Sequence, residues 1–161
     1  PKQTGLITNN SLPSSSREFL SYNAWETEYY ESIEHVAPQN AQSGWTGIYD
    51  TAGTVHRLGN LTLIPSGHNS SLSNASWAAK QCFFKALESN NTKTRANELS
   101  NAKAAGIAIS PKKESVLNSY PASDFIKGLA DVKDWNLTFV EQRSKRLCEL
   151  AWDNIVPWLK V

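Results

Sequence analysis

Apolar side chains recur at helical spacing through much of the second half of the chain. The segment ASWAAKQCFFKALES places Trp77, Phe83 and Leu87 on one predicted helical face, and Asn74 is a candidate cap. TRANELSNAKAAG predicts a helix that ends at Gly106, and PKKESVLNSY and ASDFIKGLADV predict two shorter helices. These patterns indicate a mostly helical chain.

The two ends of the chain carry further helical patterns. SSSREFLSYNAWETEYYESI starts with a capping box from Ser15 to Glu18, which predicts a helix after a polar segment over residues 1–14. NLTFVEQRSKRLCELAWDNIVPWL has an apolar stripe and a capping box from Thr138 to Glu141, which predicts a long final helix.

Two short segments carry strand patterns instead. ESIEHVA is short and contains β-branched residues, and RLGNLTLIP alternates apolar and polar residues, so each predicts a strand. PQNAQSGWTGIYDTAGT between them is rich in turn residues, and SGHNSSLSN after them is predicted to be a loop. The predicted fold class is therefore α+β, mostly helical, with one small hairpin between residues 33 and 65.

Composition narrows the class of protein. A chain of 161 residues with 40% apolar residues can form one domain with a real core. A net charge of +1 gives no large basic field, so any nucleic-acid binding has to use a local basic patch. Two cysteines outside any CxxC pattern exclude a four-cysteine zinc site and a disulfide framework.

The same composition bears on compartment and context. The sequence contains no apolar run of membrane-spanning length and no signal peptide, and few cysteines suit a reducing environment, so a cytoplasmic location is predicted. The chain opens on PKQTGLITNN and contains no methionine, which indicates a fragment of a longer protein.

The hairpin region concentrates the residues that carry chemistry. Glu34 and His35 are adjacent in IEHVAPQ on the first predicted strand. Asn60 opens the second predicted strand, and Asn69 follows nine residues later, just before a helical pattern. A neutral imidazole can accept a proton near pH 7, and carboxylate and amide oxygens are ligands for Mg²⁺. The set therefore suits metal-assisted hydrolysis.

This arrangement resembles the HNH branch of the His-Me finger (ββα-metal) nucleases. It is most similar to the C-terminal nuclease domain of GmrSD-type modification-dependent restriction enzymes, a group related to phage-defence proteins associated with phosphorothioate modification. The similarity is carried by IEHVAPQ, by RLGNLTLIPSGHNSSLSN and by the WAAK that follows. Weaker support comes from the last helix, through Trp135, Arg143, Leu147 and Ala151.

The resemblance implies a role for each motif residue. His35 matches the general base that takes a proton from the attacking water. Asn60 matches the second catalytic position, a residue that holds the hairpin loop in place and helps to orient the histidine. Glu34 matches a metal-binding position, which is most often Asp in the family, and Asn69 matches the second protein ligand. The implied cofactor is one Mg²⁺ or Mn²⁺ ion.

The implied organisation is a linker over residues 1–14 and a single HNH nuclease domain over residues 15–161. Its ββα core covers about residues 31–88, and additional helices cover residues 92–161 and surround it. The implied function is metal-dependent hydrolysis of DNA phosphodiesters, leaving a 5′-phosphate and a 3′-hydroxyl. The implied setting is a bacterial anti-phage restriction system. Double-stranded phage DNA is the expected substrate there, and an N-terminal NTPase-like sensor domain of the same parent chain controls the nuclease.

One geometric demand goes with this interpretation. Consecutive residues on a strand point to opposite faces, so Glu34 and His35 reach one phosphate only if the hairpin bulges or twists. The alternatives left open are a catalytically silent DNA-binding or protein-interaction module, and an HNH nuclease that acts on another nucleic acid.

Other polar residues near the motifs have two interpretations each. His56 either contacts the scissile phosphate or caps the strand, and His68 is either an alternative metal ligand or an exposed loop residue. Arg57 and Lys80 are candidate contacts to DNA phosphates or simply solvated.

The predicted last helix carries a basic cluster of Arg143, Lys145 and Arg146, which is either a solvated helical face or a second DNA contact.

Overall fold

The computed structural model describes residues 32–120, 122 and 126–159. The predicted linker over residues 1–14 and the predicted helix that starts near Ser15 lie outside the described residues.

A two-stranded antiparallel sheet forms where the sequence predicts a hairpin. Strand β1 runs from Ser32 to His35 and strand β2 from Leu61 to Ile64, with His35 opposite Leu61 at one end of the ladder. Two 3-10 turns, Thr54–His56 and Leu58–Asn60, lead into β2. The hairpin prediction is confirmed, and its strands are shorter than the alternating segments suggest.

Five α-helices complete the described part of the chain. They are α1 (Ser66–Leu72), α2 (Trp77–Glu88), α3 (Thr92–Ala104), α4 (Pro111–Ser119) and α5 (Leu137–Leu159). Helices together with a small antiparallel sheet agree with the predicted α+β class, in which helix predominates.

Four of the predicted helices begin or end at recognisable residues. Asn91 and Ser110 accept hydrogen bonds from the first turns of α3 and α4, and Gly106 takes a left-handed conformation just after α3. The caps predicted for α2 and α5 are wrong. The side chain of Ser76, not Asn74, accepts from the first turn of α2. The Asn136 side chain accepts from the amide of Phe139 at the start of α5, in place of the predicted capping box.

Two element predictions are wrong. SGHNSSLSN forms helix α1 rather than a loop, because Leu72 and His68 are buried and anchor this polar segment to the core. ASDFIKGLADV was expected to be helical, yet residues 126–131 form turns, with Ile126 and Leu129 packed into the core.

Aromatic rings fill the space between the hairpin and the helices. Trp77 packs against Trp135 and Phe84, and Trp135 also contacts Phe139 at the start of α5. Helix α5 approaches the second 3-10 turn so closely that a Cβ at Gly59 would lie 2.0 Å from the carbonyl oxygen of Val140. This contact fixes the entry to β2 against α5. In the part of the chain that the structure describes, no helix is long and apolar enough to cross a bilayer.

Candidate active site

His35 is the last residue of β1, and its side chain is half-buried at the end of the hairpin from which the connection to β2 starts. It shares a strand face with Ile33, which is exposed, whereas Glu34 between them is buried on the other face. Glu34 lies opposite Thr62, which is buried as well. The strand alternation that the sequence implies is therefore kept, and no bulge brings Glu34 and His35 to one side.

His35 has a second histidine as its neighbour. Its Nε2 lies 3.2 Å from Nδ1 of His56, and the two rings are nearly perpendicular, at 89°. The side-chain nitrogen of Gln39 lies 3.3 Å from the same Nε2. His35, His56 and Gln39 are called the His35 cluster below. His56 reaches this cluster from the 3-10 turn Thr54–His56, so it faces His35 rather than capping β2.

Burial and two neighbouring charges favour the neutral form of the His35 ring. Burial lowers the pKa of His35 below 6.5, and the nearby charges of His56 and Lys80 lower it further. A neutral imidazole at an accessible edge can accept a proton from water.

Asn60 holds the backbone that follows His35. Its Oδ1 accepts from the amide of Ala37 at 2.9 Å, and its Nδ2 donates to the carbonyls of Ala37 and Val55 at 2.9 and 2.8 Å. Nε1 of Trp135 donates to the same Oδ1 at 3.0 Å. Asn60 is fully buried and touches no solvent, so it supports the turn and does not contact a substrate.

Arg143 acts on the same backbone from α5. Its guanidinium donates to the carbonyls of Gly59 and Leu61 at 2.7 and 2.8 Å, and lies over the Trp135 ring at 5.7 Å. Burial lowers the pKa of Arg143 to about 10, which leaves it charged at neutral pH. At 2% exposure it has no face for a DNA phosphate, so the predicted DNA contact does not suit this arrangement.

Asn69 reaches the opposite end of β1 from helix α1. Its Nδ2 donates to the carbonyl of Ile33 at 3.0 Å and to the hydroxyl of Ser32. Both bonds use the nitrogen, so neither engages Oδ1. Asn69 therefore ties α1 to the strand that carries His35, and its carbonyl oxygen is the atom suited to a cation.

Glu34 meets a lysine in the interior. Its Oε1 lies 2.5 Å from Nζ of Lys80, and the two residues are 3% and 0% exposed. Nζ of Lys80 also donates to the carbonyl of His35 at 3.1 Å and lies 6.0 Å from the Trp45 ring centroid. The predicted contact of Lys80 with DNA phosphates is therefore wrong, because a fully buried ammonium cannot reach one.

Burial acts on the ionisation of both partners. It raises the pKa of Glu34 to about 7, although the charge and hydrogen bond of Lys80 pull the other way. It lowers the pKa of Lys80, which Glu34 opposes. The two groups stabilise each other in a site where either charge alone would be costly.

The expected metal ligands fit only in part. Glu34 does not fit, because its carboxylate is held by Lys80 on the face away from His35. The Oδ1 of Asn69 takes no part in its two bonds to β1, so this oxygen can still accept a cation. Over residues 32–120, 122 and 126–159, no group of three or more His, Cys, Asp or Glu side chains is arranged to hold a metal ion.

His68 lies in the core rather than in a loop. It is 1% exposed and sits edge-on to the rings of Phe83 and Tyr120. Neither ring nitrogen has a hydrogen-bond partner. Burial, with a smaller contribution from Arg95, lowers the pKa of His68 to about 4. Its predicted alternative as a metal ligand does not suit this apolar surrounding, and its predicted exposure is wrong.

The remaining basic candidates lie beside carboxylates. Arg57 is half-exposed and contacts Glu141 at 2.6 Å, while Lys145 and Arg146 approach Glu149 at 4.0 and 3.6 Å. These pairs offset much of the positive charge on this side of α5. Arg57 stays the basic residue closest in sequence to His56, and a DNA phosphate would compete with Glu141 for it.

Sequence reasoning missed the interior role of Lys80. The signal was present, because Lys80 falls at helical spacing between Trp77 and Phe83 on the apolar face of α2. A lysine on a buried stripe needs a carboxylate, and Glu34 was the acidic residue in the short apolar run. Gln39 and Trp135 had no comparable signal, since their contacts depend on tertiary packing.

Comparison with known proteins adds one family. The family model described as the C-terminal domain of GmrSD restriction endonucleases matches residues 5–150. No curated protein matches the chain.

Proposed function

The chain belongs to the family of GmrSD restriction endonuclease C-terminal domains, which gives it a nuclease role, and we propose that it is an HNH-type DNA endonuclease whose general base is His35. One observation supports this proposal most strongly. An accessible imidazole, with its pKa held below 6.5, stands at the end of a strand whose backbone is fixed from several sides.

The reaction is hydrolysis of a phosphodiester. A water attacks phosphorus, its proton passes to a ring nitrogen of His35, and the bond to the 3′-oxygen breaks. This leaves a 5′-phosphate, and the departing 3′-oxygen takes a proton from solvent water to become the 3′-hydroxyl. When Nε2–H of His35 donates to His56, Nδ1 carries the lone pair that accepts the proton, and the water would replace the long 3.5 Å contact of Nδ1 with the Gln39 side-chain nitrogen. General base catalysis of this kind contributes roughly 10²–10⁴-fold to a rate.

A divalent cation, Mg²⁺ or Mn²⁺, stays in the proposal as a cofactor. Oδ1 of Asn69 is the protein atom that fits it, and Glu34 does not. When bound, the ion would supply charge neutralisation at the scissile phosphate.

The biological setting is proposed from the family to which the chain belongs. The domain is the effector of a bacterial anti-phage, modification-dependent restriction system, and an N-terminal NTPase-like domain of the parent chain recruits it to double-stranded phage DNA. The ββα core of the HNH fold corresponds to β1, β2 and the helix that follows them. Exposed His56, which contacts His35, and half-exposed Arg57, which follows His56 in sequence, are the candidate contacts to a DNA phosphate.

Plasmid nicking tests the proposal. The wild-type domain is incubated with supercoiled plasmid and Mg²⁺, Mn²⁺ or EDTA, beside His35→Ala. Ile33→Ala is the matched control, because it truncates an exposed side chain on the same strand face without touching a ring nitrogen. We expect metal-dependent nicking by wild type and control, and a loss of roughly 10²-fold or more in His35→Ala with unchanged circular dichroism.

Two outcomes contradict the proposal. Nicking that His35→Ala retains in full removes His35 from the chemistry. A wild type that binds DNA yet stays inert with every metal, also within the full-length parent, favours the silent binding module.

A further inference from the structure

Helix α2 places a buried lysine ammonium against the strand that carries His35. Lys80 is fully buried on the apolar face of α2, and its Nζ makes two bonds to β1. One joins Oε1 of Glu34 at 2.5 Å, and the other joins the carbonyl oxygen of His35 at 3.1 Å. A single ammonium therefore links the helix to two consecutive residues of the strand.

The bond to the His35 carbonyl lies where the ladder ends. The register stops at His35 opposite Leu61, and the next two amides, of Val36 and Ala37, donate to Asn60 at 2.9 Å each. Lys80 and the Asn60 carbonyl therefore hold the two polar groups of one peptide, the one that joins His35 to Val36, and the Asn60 side chain holds the next. The backbone that leaves His35 is thus fixed, which limits the directions its ring can take.

Charge explains why Glu34 is needed. A lone ammonium in the interior costs several kcal/mol, because it loses its water without a compensating charge. Glu34 is the carboxylate within contact of Lys80, and the face of Trp45 covers the ammonium. This arrangement accounts for the acidic residue before His35 without a metal ion.

We propose that Lys80 is a positioning residue for His35, and that Glu34 is the internal counter-ion of Lys80 rather than a metal ligand. The first half of this inference rests on the proposed function, since it takes His35 as the base.

Proton NMR of the histidine Cε1–H signals tests the link to His35 without any need for activity. The chain has three histidines, so His35→Ala and His56→Ala assign the spectrum. Lys80 and His56 are the charged or titratable groups whose charge acts on His35, and each lowers its pKa. We expect Lys80→Met to raise the midpoint of His35, while His68, which responds to burial and Arg95, keeps its own. An unchanged His35 midpoint overturns the positioning role.

A double-mutant cycle tests the pair and guards against a variant that fails to fold. Urea unfolding is measured for Glu34→Gln, Lys80→Met and the double variant, which replaces both charges with neutral side chains of similar size. We expect the double variant to lose less stability than the sum of the two single losses, because each single change leaves one buried charge alone. Losses that simply add overturn the pairing. If Lys80→Met does not fold, the double variant takes its place in the NMR titration.

Metal titration tests whether Glu34 is the counter-ion of Lys80 or a ligand of the metal ion. The Mg²⁺ concentration for half-maximal nicking is compared in wild type, Glu34→Gln and Asn69→Ala. We expect that concentration to stay unchanged in Glu34→Gln and to rise in Asn69→Ala. A rise of tenfold or more in Glu34→Gln overturns the inference, since losing a ligand weakens metal affinity directly. If the wild type does not nick, either alone or within the full-length parent, the proposed function fails, while NMR and unfolding still decide the inference.

Discussion

Among single residues, the His35 ring is the one whose surroundings most directly set a chemical property. Three influences lower its pKa, in the order burial, His56 and Lys80, and all three follow from contacts at the end of β1. In the proposed mechanism, activity depends on the fraction of His35 that is neutral, because a protonated imidazole cannot accept a proton.

The pH dependence of nicking follows from the lowered pKa of His35. A base whose folded pKa lies below 6.5 is neutral above that value, so the rate should fall on the acid side with a midpoint below 6.5. His56→Ala removes a neighbouring charge that lowers the pKa, so the acid midpoint should move to higher pH. Single-turnover rates across pH 5–8 check this, with thermal unfolding as the control for folding. A midpoint that moves down contradicts the coupling of the two rings.

His68 gives a prediction about stability instead of activity. Its pKa is about 4 when folded and 6.5 for a solvent-exposed histidine, so the unfolded chain binds more protons between those values. The contribution of His68 to the free energy of unfolding is therefore fully present above pH 6.5 and is lost as pH falls toward 4. The full loss amounts to roughly 3 kcal/mol.

The variant His68→Phe isolates that contribution. It keeps a ring between Phe83 and Tyr120 but has no titratable group. Urea unfolding at pH 7.0 and at pH 4.5 should show a smaller acid loss in His68→Phe than in wild type. Equal acid losses in the two proteins would contradict this, because they would mean that folded His68 binds its proton as readily as the unfolded chain does.

The sequence predicts the identity of the site residues better than their partners. The spacing of His35, Asn60 and Asn69 in short motifs is a local property. In the structure Asn60 bonds to the backbone that follows His35, and Asn69 bonds from α1 to β1. The contact between Glu34 and Lys80 joins residues 46 positions apart, so no local pattern specifies it. Glu34 was therefore assigned to a metal when its partner lies in the core.

At the scale of elements, the entry to β2 depends on how closely α5 approaches. A Cβ at Gly59 would lie 2.0 Å from the Val140 carbonyl oxygen and 2.7 Å from the Ser144 amide nitrogen, and both are backbone atoms. The Gly59 amide also donates to the Ser144 hydroxyl at 2.8 Å. Only glycine allows the two backbones to meet here.

Gly59→Ala should therefore destabilise the domain by about 3 kcal/mol, because α5 has to move away from the turn. Gly67→Ala is the matched control, since its Cβ meets nothing within 4 Å and it lies in helix α1. The control should be neutral or up to about 1 kcal/mol more stable. Thermal unfolding of both variants checks this, and equal effects would contradict the close packing of α5.

Element prediction succeeded where the pattern was long and regular. Helices α2, α3 and α5 follow from apolar spacing over a dozen residues or more, and tertiary contacts do not change their type. Helix α1 was missed because its Ser, Gly and Asn residues favour turns by themselves. Burial of Leu72 and His68 outweighs that local preference, and the hydroxyls of Ser70 and Ser71 bond back to the Gly67 carbonyl.

For the whole molecule, positive and negative charges nearly cancel. The net charge is +1, and Arg57 and Lys145 each lie near a carboxylate on α5. Counter-ion release from DNA scales with the number of phosphates that basic residues neutralise, so this domain has little to bind duplex DNA tightly alone. That property suits a nuclease domain that another part of a restriction enzyme brings to its substrate.

The central claim is that the His35 imidazole accepts the proton of the attacking water, and chemical rescue tests it most directly. Plasmid nicking by His35→Ala is measured with increasing imidazole at fixed pH and metal, beside Ile33→Ala under the same conditions. The account predicts that His35→Ala is nearly inert without imidazole and regains activity in proportion to the neutral imidazole added, while Ile33→Ala does not respond. Nicking by His35→Ala at the wild-type rate without imidazole would contradict it.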